Sequence, residues 1–275
     1  SALAVGSLLA GPTLRFFGPS GVFVFLSTLF FLASASVSRI PKEEGKRAIR
    51  TIVGRYSVID LSAKVLHSMD EGLSYIKTRA KLLDALVLLM GTQVILAMLA
   101  TLGPAFADRL LEIDIHDASL FLVGPAVAGI MAGALWIGNR GYRIHPTKLI
   151  SSGVMSAGLI LLVIAVAVRF KHLPVFAGEI GSALFFATVL LLFFALGVAN
   201  SLLDVPANTT LQKEAEGDMR GRVYGLLTAV VGGVGMLPVL IGGVLADVVG
   251  VGKVIFLLGL LITGYGIWRV RYNRD

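Results

Sequence analysis

The chain repeats apolar runs long enough to cross a lipid bilayer, and no other feature constrains its fold as strongly. A crossing helix needs about 20 predominantly apolar residues. Eight segments can be drawn, near residues 1–16, 21–38, 82–102, 118–138, 149–169, 181–203, 223–246 and 253–270. The first is short for a full crossing. The chain opens on Ser1 with no basic lead-in of the kind a signal peptide carries, so this segment reads as a membrane helix cut part-way. Only 15% of the residues are charged against 56% hydrophobic, too little polar surface for a soluble domain of this size. The expected fold class is therefore an all-α membrane protein with about eight transmembrane helices.

The basic residues give an orientation. If the polar stretch 39–81 is cytoplasmic, that side holds nineteen of the 24 Lys and Arg residues. The other side keeps Arg15, Arg109, Arg169, Lys171 and Lys253. Such a bias is the positive-inside pattern, and it places the carboxyl terminus in the cytoplasm of a multi-pass protein of the inner (plasma) membrane. The net charge of +7 then reads as topology and attraction to anionic headgroups in the lipid bilayer, and no nucleic-acid partner is expected.

An internal repeat sets the organisation. Gly11-Pro-Thr-Leu-Arg-Phe-Phe-Gly18 parallels Gly243-Val-Leu-Ala-Asp-Val-Val-Gly250, at an offset of 232 residues. In both places a small-residue helix ends at a glycine-marked turn, and a Phe-containing apolar helix follows into a basic segment. Four segments lie between the copies, so the period is six helices in the same orientation.

The stretch Asn200 to Gly225 is expected to be a polar hairpin at the water interface, carrying Lys213, Glu214, Arg220 and Arg222. It resembles the cytoplasmic loop between the tenth and eleventh helices of major facilitator superfamily transporters. The likeness is to the bacterial efflux branch that includes enterobactin-exporter-like and macrolide-efflux-like proteins. Met69-Asp-Glu-Gly-Leu-Ser-Tyr-Ile-Lys77 is similar to the E-G-L-x-Y-I segment that precedes helix seven in that branch. Trp136-Ile-Gly-Asn-Arg-Gly-Tyr-Arg-Ile144 resembles a worn copy of the superfamily's G-x-x-x-D-R-x-G-R-R loop, with Asn139 where the acid belongs and Arg140 and Arg143 retained.

The resemblance implies a fold of two parallel six-helix repeats. By that count the chain supplies helices five to twelve, with the amino-terminal four missing. Residues 1–38 are the last two helices of the first bundle, 39–81 a cytoplasmic linker with an amphipathic helix, and 82–275 the second bundle. The linker helix, drawn from Ile59 to Ile76, is expected to lie along the membrane with Lys77 and Lys81 toward headgroups. The implied function is secondary active efflux of a small amphipathic substrate, of drug or siderophore type, in exchange for protons. A membrane scaffold subunit and a lipid-handling membrane protein are the alternatives.

Candidate residues follow from polarity at depth. Thr92, Gln93 and Thr101 on segment three, and Phe193 and Asn200 on segment six, are candidates for the substrate pathway, since a few polar anchors among apolar walls suit a ligand site. Hydrogen bonding between helices is the competing reading. Asn139, Arg140, Arg143, Asp204, Arg220 and Arg222 are candidates for a cytoplasmic gate, with topology anchoring as the alternative for the arginines. A proton-coupled exporter needs a desolvated carboxylate. That acid is assigned to the missing helices, with Asp204 the best local candidate and an ion pair to Arg220 or Arg222 its alternative role.

Enzymatic chemistry has little to work with. There is no cysteine, the four histidines fall in loops without metal-ligand spacing, and no nucleotide fingerprint is present. No cofactor, metal or catalytic residue is expected.

Overall fold

A computed structural model describes residues 2–38, 69–111, 119–170, 178–215, 217 and 219–272. Among these, every regular element is a helix. In chain order they are α1 (Ala2–Ser38), α2 (69–77), α3 (Ala80–Phe106), α4 (Gly124–Arg140), α5 (Pro146–Arg169), α6 (Gly178–Glu214), α7 (Met219–Ala229), α8 (Met236–Val249) and α9 (Val251–Tyr272). Wider, π-type turns extend α3 over Ala107–Leu111, lead into α4 over Ser119–Val123 and join α7 to α8 over Val230–Val234. Seven described stretches are long and apolar enough to span a membrane. The 24 residues of α5 measure about 36 Å, which fits a hydrocarbon core of about 30 Å with some tilt.

Chain direction alternates from α3 to α9, so the bundle has two ends. The basic end carries the start of α3, the α4–α5 and α6–α7 turns, and the tail of α9. The far end carries the α8–α9 turn and the tails of α3 and α5. Each end has its own apolar core. The far-end core packs Leu102, Phe106, Leu161, Ile164, Phe185 and Val254. The basic-end core packs Ile76, Leu82, Leu86, Leu211, Val223 and Leu226.

Small residues let the helices approach. Gly129 of α4 lies so close to α6 that a Cβ there would overlap the Phe194 carbonyl oxygen, and Gly197 stands in the same relation to Ala126. Gly133 faces Ser201, whose hydroxyl donates to the Ile130 carbonyl at 2.7 Å. The spacing Gly129-x3-Gly133 on α4 is thus met by Gly197-x3-Ser201 on α6, a reciprocal crossing driven by backbone proximity. Gly158 of α5 meets Thr263 of α9 in a similar way.

Both repeat glycines adopt the same rare backbone. Gly18 has φ 63°, ψ 174° and Gly250 has φ 100°, ψ 142°, a region open to glycine and strained for other residues. α1 therefore breaks at Gly18, which separates residues 2–17 from the apolar span Ser20–Ser38. Much of that span is exposed: Phe23, Phe30 and Phe31 are each at least 70% exposed.

Two expectations need correction. The helix expected to end near residue 203 runs on to Glu214, 37 residues or about 55 Å, so the polar turn shrinks to residues 215–218. Hydropathy marks only the lipid-buried part of a helix. Beyond it Asn208, Thr209 and Thr210 keep the helical path, each hydroxyl or amide bonding back to the carbonyl four residues earlier. Second, α2 does not lie free along a membrane surface. Ile76 is fully buried in the basic-end core, and Gly72 sits against Arg222 of α7. Residues 59–68 of the expected linker helix lie outside the described residues.

Candidate functional site

Between the two cores, α3, α4, α5, α6 and α9 enclose a cavity of about 100 Å³. Its walls are apolar except for Thr92 and Asn200. Thr92 spends its hydroxyl on the Leu88 carbonyl at 2.8 Å, which leaves an oxygen lone pair to face the cavity. A wider apolar groove of about 480 Å³ opens beside it between α3 and α9, also touching Thr92. Of the five residues expected along a substrate pathway, the structure brings Thr92 and Asn200 together here. Gln93 and Thr101 lie on the exposed face of α3, two turns apart. Phe193 instead packs edge-on against Phe106 at 5.8 Å in the far-end core.

One turn below Asn200, α6 begins a polar ladder toward the basic end. Asn208 donates to the Asp204 carboxylate at 3.1 Å. Tyr224 of α7 donates to Asn208 Oδ1 at 3.4 Å, and Gln212 donates to the Tyr224 hydroxyl at 3.3 Å. Asp204, Asn208 and Gln212 share a helix face because they recur every four residues. The expected pairing of Asp204 with Arg220 or Arg222 does not occur. Asp204 is half-buried beside α7, and its partner is an amide on its own helix.

The arginines are used one layer further out, at the foot of α6. A helix leaves its last four carbonyls without partners. Arg79 Nη1 donates to the Glu214 carbonyl at 3.0 Å, and the Tyr75 hydroxyl donates to the same oxygen at 3.4 Å. The Arg79 guanidinium also stacks 4.7 Å from the Tyr75 ring centroid. Arg220 Nε donates to the Ala215 carbonyl at 3.1 Å. Cations at this position also suit the negative end of the helix dipole. Arg222 forms an ion pair with Glu71 of α2. α2 is thereby latched across the ends of α6 and α7.

A second ionic contact was not anticipated. Asp84, one turn into α3, receives Arg269 of α9 through both oxygens, at 2.5 and 2.6 Å. Arg269 is only 4% exposed, and the Tyr265 hydroxyl lies 3.5 Å from it. Sequence could have signalled this pair, because a charge one turn inside an apolar helix demands a partner. Asn139, Arg140 and Arg143 sit exposed at the α4–α5 turn, away from the latch.

A bundle of membrane-length helices around an interior cavity, with its basic ends tied by arginines, defines a multi-pass helical membrane protein. The sequence matches the profile of the Major Facilitator Superfamily over residues 1–239, and the chain belongs to that family of transporters, not to the enzymes. It is 25% identical over 264 residues to an uncharacterized MFS-type transporter of Bacillus subtilis strain 168, YfiS. That alignment covers 95% of the chain and 58% of the relative's length. No solved structure matches it.

Proposed function

We propose that the chain forms the helix-five-to-twelve part of a proton-coupled exporter of small amphipathic molecules, working by alternating access across the inner membrane with its basic end in the cytoplasm. Residues 82–275 act as one bundle in this scheme, and residues 1–38 belong to the bundle that rocks against it. The observation that carries the reading is the stacking along α6. Asn200 at the cavity, Asp204 one turn below and the Glu214 carbonyl at the latch lie on one continuous helix.

The apolar cavity and groove suit an amphipathic substrate, with Thr92 and Asn200 as polar anchors and Gln93 and Thr101 presented toward the facing bundle. Asp204 is the acid placed to exchange a proton with the cytoplasmic side through Asn208 and Tyr224. The α2 latch closes that side in the outward-facing state, with Arg220 and Arg222 as its gate residues.

The test uses the full-length protein in proteoliposomes with ethidium as the probe. An imposed proton gradient should drive dye movement, and Asp204→Asn should abolish gradient-driven movement while leaving dye exchange intact. Dye movement indifferent to the gradient in the unmodified protein overturns proton coupling.

A further inference from the structure

A second cavity, larger than the central one, lies away from the centre of the bundle. A pocket of about 560 Å³ opens at the far end between α3, α5 and α9. Its rim carries Arg109, Arg169 and Lys253, and its walls are Val166, Phe170, Val251 and Phe256. The three cations come from three different helices, and each marks the end of a membrane-length apolar stretch. Arg109 closes the span Ala80–Arg109, Arg169 closes Pro146–Arg169, and Lys253 sits in the first turn of Val251–Arg271. They therefore lie at one membrane–water interface.

This end of the chain is otherwise poor in basic residues. Of the five assigned to it from the sequence, three converge on this pocket. Topology signals do not ask for such convergence, and the positive-inside pattern disfavours it. Among the described residues, Arg109 meets Asp247 at 3.4 Å, while Arg169 and Lys253 meet no carboxylate. The Arg109–Asp247 pair is largely exposed on both sides, so its attraction is weak and readily exchanged for another anion.

We propose that this pocket binds the headgroup of an anionic phospholipid from the adjoining leaflet. The phosphate lies among Arg109, Arg169 and Lys253, and the upper acyl chain lies along Val166, Phe170 and Phe256. Two features select a lipid over a soluble anion. The walls below the cations are apolar, and long basic side chains at helix ends reach up to the headgroup level with their stems in the hydrocarbon. A volume of several hundred Å³ also suits a headgroup with its glycerol. This inference does not depend on the export reading.

The experiment is native mass spectrometry of the full-length protein in detergent, titrated with phosphatidylglycerol, phosphatidylcholine or inorganic phosphate. Phosphatidylglycerol should be retained in preference to phosphatidylcholine. The double variant Arg169→Gln/Lys253→Gln should lose roughly thirty-fold in that affinity, about fivefold per basic residue. Lys148→Gln, at the opposite end of α5, should leave it unchanged. Arg169→Lys/Lys253→Arg keeps the charge and should retain binding, which separates loss of charge from loss of fold. Equal retention of phosphatidylcholine overturns the proposal. So does inorganic phosphate that competes at equal concentration, which would make the site one for a soluble anion, and so does a double variant that binds as the unmodified protein does.

Discussion

Replacing Gly129 by alanine tests how closely α4 and α6 are held. The added methyl would overlap the Phe194 carbonyl oxygen, lying 2.9 Å from its carbon and 3.1 Å from the Val198 nitrogen. All three are backbone atoms, so no rotamer change relieves the contact. Sliding is blocked as well, since Gly197 is equally tight against Ala126 and Gly133 against Ser201. The helices must separate by roughly 1 Å, and overpacking of this sort costs about 1–3 kcal/mol. The stretched Ser201–Ile130 hydrogen bond adds about 0.6 kcal/mol. Alanine's better helix propensity returns about 1 kcal/mol. The net expectation is a loss of about 0.5–2.5 kcal/mol, measured by reversible unfolding in mixed SDS and detergent micelles. Gly264→Ala on α9, where a Cβ meets nothing, is the control and should be neutral or slightly stabilising. A Gly129→Ala protein as stable as the Gly264→Ala protein would refute the close crossing.

Two further outcomes concern the basic end. A Cβ at Gly72 lies 3.5 Å from that of Arg222, within disulfide range, and the chain has no cysteine of its own. Gly72→Cys/Arg222→Cys should cross-link on oxidation and halt transport until a reductant is added. Cross-linked protein that transports at the normal rate would show that the α2 latch need not open. Removing the buried guanidinium with Arg269→Ala should cost about 3 kcal/mol, and Asp84→Asn/Arg269→Gln should recover at least half of it in the same unfolding assay. Equal loss in both variants would mean that the two side chains do not act as a pair.

What the sequence disclosed was whatever is local. The apolar runs located the membrane-length helices to within a few residues, apart from the hydrophilic extension of α6. Gly18 and Gly250 marked both helix breaks, because a positive φ leaves a residue-type trace at a single position. The spacing Gly129-x3-Gly133 is of a kind that favours close helix packing, but nothing in it says that Gly197 and Ser201 would receive it. Partnerships across the bundle left no comparable trace. Glu71 and Arg222 are 151 residues apart and Asp84 and Arg269 are 185 apart, so only the fold brings them together. Phe193 and Asn200 looked equivalent as cavity-facing residues. They share a face but stand two turns apart, about 10 Å along the axis, which puts Phe193 in the far-end core and Asn200 at the cavity.

The length of α6 has a mechanical consequence. Its crossing with α4 at Gly197 acts as a fulcrum, because the backbones touch there and cannot approach further. From that point to Glu214 the rod extends 17 residues, an arm of about 26 Å. A tilt of about 5° at the fulcrum swings the tip by roughly 2 Å. The hydrogen bond from Arg79 to the tip spans 3.0 Å and does not survive such a stroke. On the proposed export reading, occupancy at the cavity would be geared to release at the basic-end tip with no intermediary but the helix itself.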